Sequence, residues 1–295
     1  MPRDALAHSW HRAVGRALPL VCLHGSLCDR SFFDPLDGVL PGYRALCIDL
    51  PGHGGSGRAA EPANAGAPTR LEDMAAAVFT LLVSLEVTKK PWVIAGHSLG
   101  GAVALLVIEL IATSSGDHQL PRVFVSFEGN ATPACCAADG LARRVAALQQ
   151  PPSVEEVLQM VSTTPVWLEA ASKIGDSLGL LAHQIWISLV EWCDGRKMHG
   201  ATLEEMQQRV PLCYVYGSTS GKYHASNRAA HDRHPSAAAI GVAGAGHFML
   251  SEDPTGTLAA LTQLLGDLAG EGEEAHLLTA EVPITDKDVR VEPCS

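Results

Sequence analysis

The chain has 295 residues, of which 47% are hydrophobic and 18% charged, so it can bury a large core and lacks the composition of a disordered protein. Its 21 basic side chains are outnumbered by 32 acidic ones, and the formal net charge is -11. Surfaces that bind nucleic acids or anionic membranes need concentrated positive charge. We therefore expect neither a nucleic-acid nor a membrane partner.

The first residues and the cysteines indicate the cellular compartment expected for the protein. Residues 1–8 lack the unbroken apolar stretch of a signal peptide, and no segment approaches the ~18 consecutive apolar residues of a membrane span. The eight cysteines are irregularly spaced and several lie in apolar runs, which favours buried thiols over a disulfide framework. These features predict a cytoplasmic protein, present as a monomer or homodimer.

Short apolar runs alternate with longer amphipathic segments along most of the chain. The runs expected to form strands are residues 18–23, 44–48, 92–95, 123–127, 212–216 and 238–242. The segments with the length and composition of helices are residues 70–85, 100–113 and 253–268. This alternation predicts an α/β fold with a doubly wound, mostly parallel sheet.

The alternation stops between about residues 130 and 209, where the sequence looks helical and no buried-strand run appears. Unstructured loops longer than ~15 residues are uncommon in compact domains. The segment 131–209 is therefore interpreted as a helical lid inserted into a core made of residues 1–130 and 210–270. The acidic segment 271–295 is expected to be a flexible tail.

A Gly-x-Ser-x-Gly motif at residues 96–100 stands between a predicted strand and a predicted helix. In this context the motif forms a sharp turn that exposes a nucleophilic serine at the end of the sheet. The glycines leave room for the strained backbone, and the following N–H groups lie at a positive helix terminus. The motif predicts Ser98 as the nucleophile, whereas the same pattern without strand and helix is often only a glycine-rich loop.

A serine hydroxyl needs a neighbouring base to be a nucleophile at neutral pH. His247 follows the last predicted strand directly, so it is expected at the edge of the sheet where Ser98 lies. Other histidines, such as His53 and His231, have positions more typical of packing or solvated residues.

Hydrolysis of a carbonyl compound also needs backbone N–H groups that stabilise a negative oxygen. Leu99 follows the nucleophile and supplies the first predicted donor. The second is expected from Ser26, because the strand that ends at Leu23 runs into the glycine turn His24-Gly25.

Four motifs, taken in order, resemble those of the α/β-hydrolase superfamily. They are His-Gly at 24–25, Asp-Leu-Pro-Gly-His-Gly-Gly-Ser at 49–56, Gly-His-Ser-Leu-Gly-Gly at 96–101 and Gly-His-Phe at 246–248. They lie within residues 18–270 and leave the lid and the tail unmatched. The resemblance implies the fold and the serine chemistry of this superfamily. The sequence has no metal-ligand spacing or phosphate-binding glycine loop, so neither a metal nor a cofactor is expected.

The chain departs from the superfamily pattern at the acid. Most members that resemble it carry an Asp after the strand that follows the lid, but residues 214–222 contain no carboxylate, and Ser220 takes its place. Some relatives carry the acid after the strand that precedes the lid, which here ends in Glu128. The resemblance therefore assigns Glu128 as the acid that orients His247. The alternatives are Asp139, Asp232 and a purely solvated Glu128.

The function expected from these residues is cleavage of a small apolar carboxylic ester or lactone through an acyl-enzyme. A serine at the turn argues against dehalogenases and epoxide hydrolases, which resemble this fold but use a carboxylate nucleophile. Hydrolysis of a carbon–carbon bond on the same triad and non-catalytic ligand binding remain the alternatives.

The substrate is expected to be a small molecule in an apolar pocket between the sheet edge and the lid. Residues expected to line it are His24, Gly25, His97, Trp167, Trp186 and Phe248. The alternative role for the tryptophans is to pack the lid against the core.

Overall fold

A computed structural model of the chain describes residues 6–13, 17–59, 70–129, 140–160, 168–169, 174, 178–193, 209–221 and 238–270. These residues include a seven-stranded sheet with the order β1-β3-β2-β4-β5-β6-β7. The strands are β1 His8–Trp10, β2 Leu18–Leu23, β3 Tyr43–Ile48, β4 Val93–His97, β5 Phe124–Phe127, β6 Leu212–Gly217 and β7 Ala238–Val242. Only β1 pairs antiparallel among these neighbours. The predicted doubly wound, mostly parallel sheet is confirmed.

Side chains of successive strand residues point to opposite faces of this sheet, and both faces are covered. In β2, for example, Val21 and Leu23 belong to one buried cluster, whereas Leu20 and Cys22 belong to the other. Strands buried on both faces read as continuous apolar runs, which is why the sequence located them well.

Helices complete the two outer layers. They are α1 Leu71–Ser84, α2 Leu99–Thr113, α3 Gly140–Ala146, α4 Val154–Met160, α5 Leu178–Cys193, α6 Met249–Glu252 and α7 Pro254–Gly270. Helices α1, α2 and α5 contribute to the first cluster, and α7 packs on the opposite face with the 3-10 helix Arg30–Leu36. None of the described helices is long and apolar enough to cross a membrane.

The segment expected to be a lid contains helices α3, α4 and α5 among its described residues, and the non-helical residues 147–153 join α3 to α4. Helix α5 lies against α1, because the hydroxyl of Ser188 accepts the N–H of Leu71 at 3.0 Å and Leu181 reaches the backbone at Gly52. Trp186 and Trp192 are buried in the same cluster. The division into core and lid stays a prediction, and the tail 271–295 lies outside the described residues.

The order of the strands in the sheet determines which loops meet at its edge. The chain passes from β3 back across β2 to β4, so the loops that leave β2 and β4 emerge side by side. Such a reversal in strand order creates a crevice at the carboxyl ends of the strands. Leu23 pairs with Gly96, and His97 pairs with Phe127, so the segments that begin at residues 24, 98 and 128 meet at one edge.

Candidate active site

Ser98 occupies the sharp turn between β4 and α2. Its backbone has φ 49° and ψ -117°, a conformation that non-glycine residues seldom adopt. A Cβ on Gly96 would stand 2.4 Å from the carbonyl oxygen of Gly100, and one on Gly100 would stand 2.1 Å from that of Leu23. Both contacts are with backbone that cannot move aside, so the two glycines of the motif are sterically required and the predicted nucleophile turn forms.

The predicted base and acid meet directly. His247 Nδ1 lies 2.7 Å from Glu128 Oε2, and the N–H of Gly217 donates to Glu128 Oε1 at 2.8 Å. The Glu128 side chain is completely buried, whereas that of His247 is 20% exposed. A buried carboxylate is expensive unless it is paired and hydrogen-bonded, and here both oxygens accept a hydrogen bond. The arrangement fixes the carboxylate and directs the imidazole.

This hydrogen bond also selects the tautomer of His247. A carboxylate only accepts, so Nδ1 carries the proton and Nε2 of the neutral ring is left with its lone pair. A neutral histidine held in this way can take a proton from a hydroxyl through Nε2. That is the tautomer which the predicted base needs.

Close packing between two loops holds His247 at this edge. The hydroxyl and the N–H of Thr219 both donate to the carbonyl oxygen of Ala245 at 2.9 Å. The N–H of Gly246 donates to the Glu252 carboxylate, and a Cβ on Gly217 would stand 2.3 Å from the carbonyl oxygen of Gly246. The turn after β6 therefore fixes the loop after β7.

The predicted oxyanion loop lies against the nucleophile turn. A Cβ on Gly25 would stand 3.2 Å from Ser98 Cβ and 2.7 Å from His97 Nδ1, so only glycine permits this approach. The predicted donor Ser26 directly follows Gly25, and the predicted donor Leu99 directly follows Ser98. The N–H of Leu99 also lies at the first residue of α2, where the helix terminus carries positive charge.

Two buried histidines, His24 and His53, form hydrogen bonds with the backbone of the predicted oxyanion loop and of the loop beside it. His24 donates from Nδ1 to the carbonyl oxygen of Gly25 at 2.8 Å and accepts the N–H of Leu50 at Nε2 at 2.9 Å. His53 accepts the N–H of Leu27 at 3.1 Å through Nε2. Burial lowers the pKa of His24 to about 4 and the pKa of His53 to about 3, so both rings are neutral. His24 thus has both nitrogens occupied by the backbone and serves as a clamp.

Asp49 anchors the loop that follows β3, a role that was not predicted from the sequence. Its carboxylate accepts the N–H groups of Arg30 and Gly55 at 2.7 Å each and pairs with the Arg30 guanidinium. A Cβ on Gly54 would stand 2.5 Å from this carboxylate. An Asp that begins a glycine-rich loop after a strand was the available signal, because Asp side chains accept N–H groups of nearby turns.

The other residues considered for the site in the sequence analysis lie in different parts of the structure. Phe248 is 5% exposed and lies 5.5 Å from the His97 ring, measured between ring centroids. Trp186 is 2% exposed and belongs to the cluster on the other face of the sheet, so the structure does not bring it together with Phe248. The buried hydroxyl of Ser220 has no hydrogen-bond partner among the described residues. The positions outside the described residues are Asp139, Trp167, His231 and Asp232.

No three His, Cys, Asp or Glu side chains of the described segments are grouped so as to hold a metal ion.

Comparison with known proteins gives the family. The model of the alpha/beta hydrolase family matches residues 20–261. The 2-succinyl-6-hydroxy-2,4-cyclohexadiene-1-carboxylate synthase of Klebsiella pneumoniae is 40% identical over 86 residues. That match covers 29% of this chain and 31% of the synthase, so the chain spans less than a third of that relative's length.

Solved structures resemble the whole fold at low identity. The N-acyl homoserine lactonase AidH, complexed with N-butanoyl homoserine, has a TM-score of 0.64 and 18% identity over 92% of this chain and 96% of its own. MenH from S. aureus has a TM-score of 0.60 and 17% identity over 88% and 98%. A carboxylesterase of Nitrososphaera gargenis has a TM-score of 0.62 and 15% identity over 90% and 96%. With the family model covering most of the sequence, the chain belongs to the alpha/beta hydrolase family.

Proposed function

We propose that this protein is a serine hydrolase that cleaves a small apolar carboxylic ester or lactone through an acyl-enzyme. The observation that carries the proposal is the contact between His247 Nδ1 and Glu128 Oε2 at 2.7 Å, on a loop packed against the strained turn of Ser98. A nucleophile, a base and an orienting carboxylate in this relation form the general apparatus of acyl transfer.

The reaction divides into two proton-coupled steps. Ser98 Oγ attacks the carbonyl carbon and gives its proton to His247 Nε2, while the N–H groups of Ser26 and Leu99 stabilise the negative oxygen. The tetrahedral intermediate collapses to an acyl-Ser98 ester, and the leaving alkoxide takes the proton from His247. Water then repeats the sequence with His247 as base and releases the carboxylic acid. For a lactone, alcohol and acid leave as one hydroxy acid.

The choice of esters and lactones draws on the fold relatives. AidH is named a lactonase and the protein of Nitrososphaera gargenis a carboxylesterase, and both share the overall fold with this chain. These names favour an ester or lactone with an acyl group of modest size as the substrate class.

A second candidate follows from the synthase relative, which matches 86 residues at 40% identity. In that case the same three side chains serve a reaction other than ester hydrolysis. Turnover of esters or lactones with a trapped acyl group on Ser98 favours the first candidate. A reactive Ser98 without turnover of any ester or lactone favours the second.

The experiment combines covalent labelling with turnover. Purified protein is treated with a fluorophosphonate and assayed on p-nitrophenyl esters and acyl lactones of increasing chain length. Ser98→Ala is compared with Ser220→Ala, which removes a buried hydroxyl that has no hydrogen-bond partner in the described part of the chain. We expect the adduct on the Ser98 peptide and a loss of about 10⁴-fold or more in kcat for Ser98→Ala alone. A folded Ser98→Ala protein that still labels and turns over esters would refute the proposal.

A further inference from the structure

His97, the residue before the predicted nucleophile, connects the two halves of the site. Its Nε2 lies 2.9 Å from the backbone carbonyl oxygen of His247. A carbonyl oxygen only accepts, so Nε2 carries the proton and donates it. This hydrogen bond joins the turn that carries Ser98 to the backbone of the predicted base, across 150 residues of sequence.

The ring of His97 is held in one orientation. It stacks on Phe32 with centroids 4.3 Å apart and lies 4.7 Å from the ring of His247. On its other edge, Nδ1 faces Gly25, where even a Cβ would stand only 2.7 Å away. The residue is 1% exposed, and its Nδ1 has no hydrogen-bond partner among the described residues. The bond to His247 is therefore the hydrogen bond that the structure gives this ring.

The ring also stays neutral. Burial, and next the proximity of His247, lower the pKa of His97 well below its usual range. A neutral Nε2–H donor does not switch off as the pH changes around neutrality. The link between the two segments is therefore present throughout the pH range in which a histidine base operates.

We propose that His97 is a positioning residue, which sets the separation between Ser98 and His247 by tying the backbone of His247 to the nucleophile turn. Glu128 orients the imidazole through its Nδ1–H, and His97 fixes the main chain from which that imidazole projects. The role rests on the proposed function. It differs from the role expected from sequence, in which His97 lines the pocket, because a side chain that is 1% exposed offers little wall to a substrate.

The expected size of the effect follows from geometry. A general base must lie within about 2.6–3.2 Å of the proton that it abstracts. A misplacement of about 1 Å lowers the rate roughly 10²-fold. Loss of the link should act on the chemical step and leave substrate affinity alone.

Two amide substitutions form a matched pair. The amide nitrogen of His97→Gln reaches about as far as Nε2, whereas that of His97→Asn, one carbon shorter, does not reach the carbonyl of His247. We expect His97→Asn to lower kcat about 10²-fold with KM unchanged, and His97→Gln to restore most of that loss. The rate of fluorophosphonate labelling should follow the same order. Equal kcat values for the two folded variants would overturn the proposal.

A measurement on the wild-type protein keeps the test independent of variant folding. Nitrogen chemical shifts of the His97 ring distinguish the two neutral tautomers between pH 6 and 8. We expect a protonated Nε2 and an unprotonated Nδ1, and the opposite tautomer would overturn the proposal. A failure of the proposed function is seen separately, as labelling and turnover that survive Ser98→Ala.

Discussion

At the scale of single residues, the backbone and side-chain contacts of Glu128, the predicted acid, show how two strands position one carboxylate. Glu128 has φ 43° and follows β5, the strand that pairs with β4, and Ser98 directly follows β4. Its N–H donates to the carbonyl oxygen of Val215 at 3.0 Å, and Gly217 then donates to its carboxylate. Two neighbouring strands thus hold one side chain, and the strained backbone directs it to His247. If Glu128 acts as proposed, the turn after β6 needs no acid, and a serine can stand at position 220.

Replacing Glu128 with Gln tests this reading. The Gln carbonyl can accept the N–H of Gly217, which leaves its NH₂ group facing His247 Nδ1. An NH₂ group only donates, so His247 must move its proton to Nε2 and can no longer accept one there. We expect kcat on an ester to fall by about 10³–10⁴-fold while KM changes little.

The control is Glu252, a carboxylate at the end of α6 that accepts a backbone N–H of the same loop as His247. Glu252 accepts the N–H of Gly246, a bond that the carbonyl of Glu252→Gln can still form. We expect this variant to retain kcat within about threefold, since the N–H of Gly246 keeps an acceptor and is not left unpaired. Similar losses in both variants would remove Glu128 from the role of acid.

The glycines of the nucleophile turn permit a second residue-scale prediction. A Cβ on Gly100 would stand 2.1 Å from the carbonyl oxygen of Leu23 and 2.7 Å from that of His24. We expect Gly100→Ala to lower the free energy of unfolding by about 3 kcal/mol or more, because backbone must move to accept the methyl group. Urea denaturation measures the loss.

Gly221→Ala separates steric overlap from backbone strain. Gly221 has φ 58°, but a Cβ there would meet nothing within 4 Å. This variant should lose only about 1–2 kcal/mol, the cost of a left-handed conformation with a side chain. Equal losses at the two positions would mean that the turn adapts to a Cβ at Gly100.

At the scale of elements, six of the seven described strands were predictable from their apolar runs, including the edge strand β7, and the edge strand β1 was not. Predicted and observed ends agree for residues 18–23 and 238–242 and differ slightly elsewhere. β1 was missed because His8–Trp10 is only three half-buried residues long, too short for an apolar pattern. Pairing with β3, not its own sequence, makes it a strand.

The predicted site residues lie in recognisable sequence motifs, whereas the contacts that hold them in place do not. Ser98 and His247 lie in short motifs, whereas the clamp formed by His24 depends on β2 and β3 being in register, with Leu23 opposite Ile48. That register brings the imidazole to the N–H of Leu50. Contacts of this kind join residues far apart in sequence, and no local pattern of residue types encodes them.

Helix α5 contributes a contact that can be tested at this scale. The N–H of Leu71, the first residue of α1, donates to Ser188 Oγ, and the preceding residue Arg70 makes no capping bond with its side chain. A buried N–H without a partner destabilises the fold. We expect Ser188→Ala to lower the free energy of unfolding by about 1–2 kcal/mol. Hydrogen exchange at the start of α1 should accelerate.

The matched control removes a hydroxyl from the exposed face of α1 itself. Thr80 donates to the carbonyl oxygen of Ala76 within the helix, a bond that contributes little at an exposed position. We expect Thr80→Ala to change stability by less than about 0.5 kcal/mol. If both variants behaved alike, the contact between α5 and α1 would carry no capping role.

At the scale of the whole molecule, the candidate site is an edge of the sheet where the loops that follow six strands, β2 to β7, meet, and neutral side chains provide several of the links between them. His24, His53 and His97 are buried and neutral, and they link the loops after β2, β3, β4 and β7. Such links withstand changes of pH near neutrality. At acidic pH they lower the stability of the fold, because the buried histidines bind protons less readily than the same histidines in the unfolded chain.

The free energy of unfolding should therefore decrease more steeply as the pH falls from 6.5 to about 4. Burial lowers the pKa of His24 from 6.5 to about 4 and that of His53 to about 3. Above pH 6.5 both states hold these rings neutral, so the rings contribute no pH dependence. As the pH falls below 6.5, the unfolded state binds more protons and stability drops until the folded pKa is reached. Between pH 7.5 and 5 each ring should account for about 2 kcal/mol of that loss.

Replacing His24 with Gln removes one titrating ring and tests this account. The Gln carbonyl can still accept the N–H of Leu50, so the variant should fold, and its stability difference between pH 7.5 and 5 should be about 2 kcal/mol smaller than in wild type. Ser56→Ala is the control, since it removes the hydroxyl bond to the carbonyl oxygen of Asp49 without removing a titrating group. It should lower stability equally at both pH values. An unchanged pH dependence in His24→Gln, measured by urea denaturation, would mean that the ring becomes charged inside the fold and that the clamp on the oxyanion loop is open in acid.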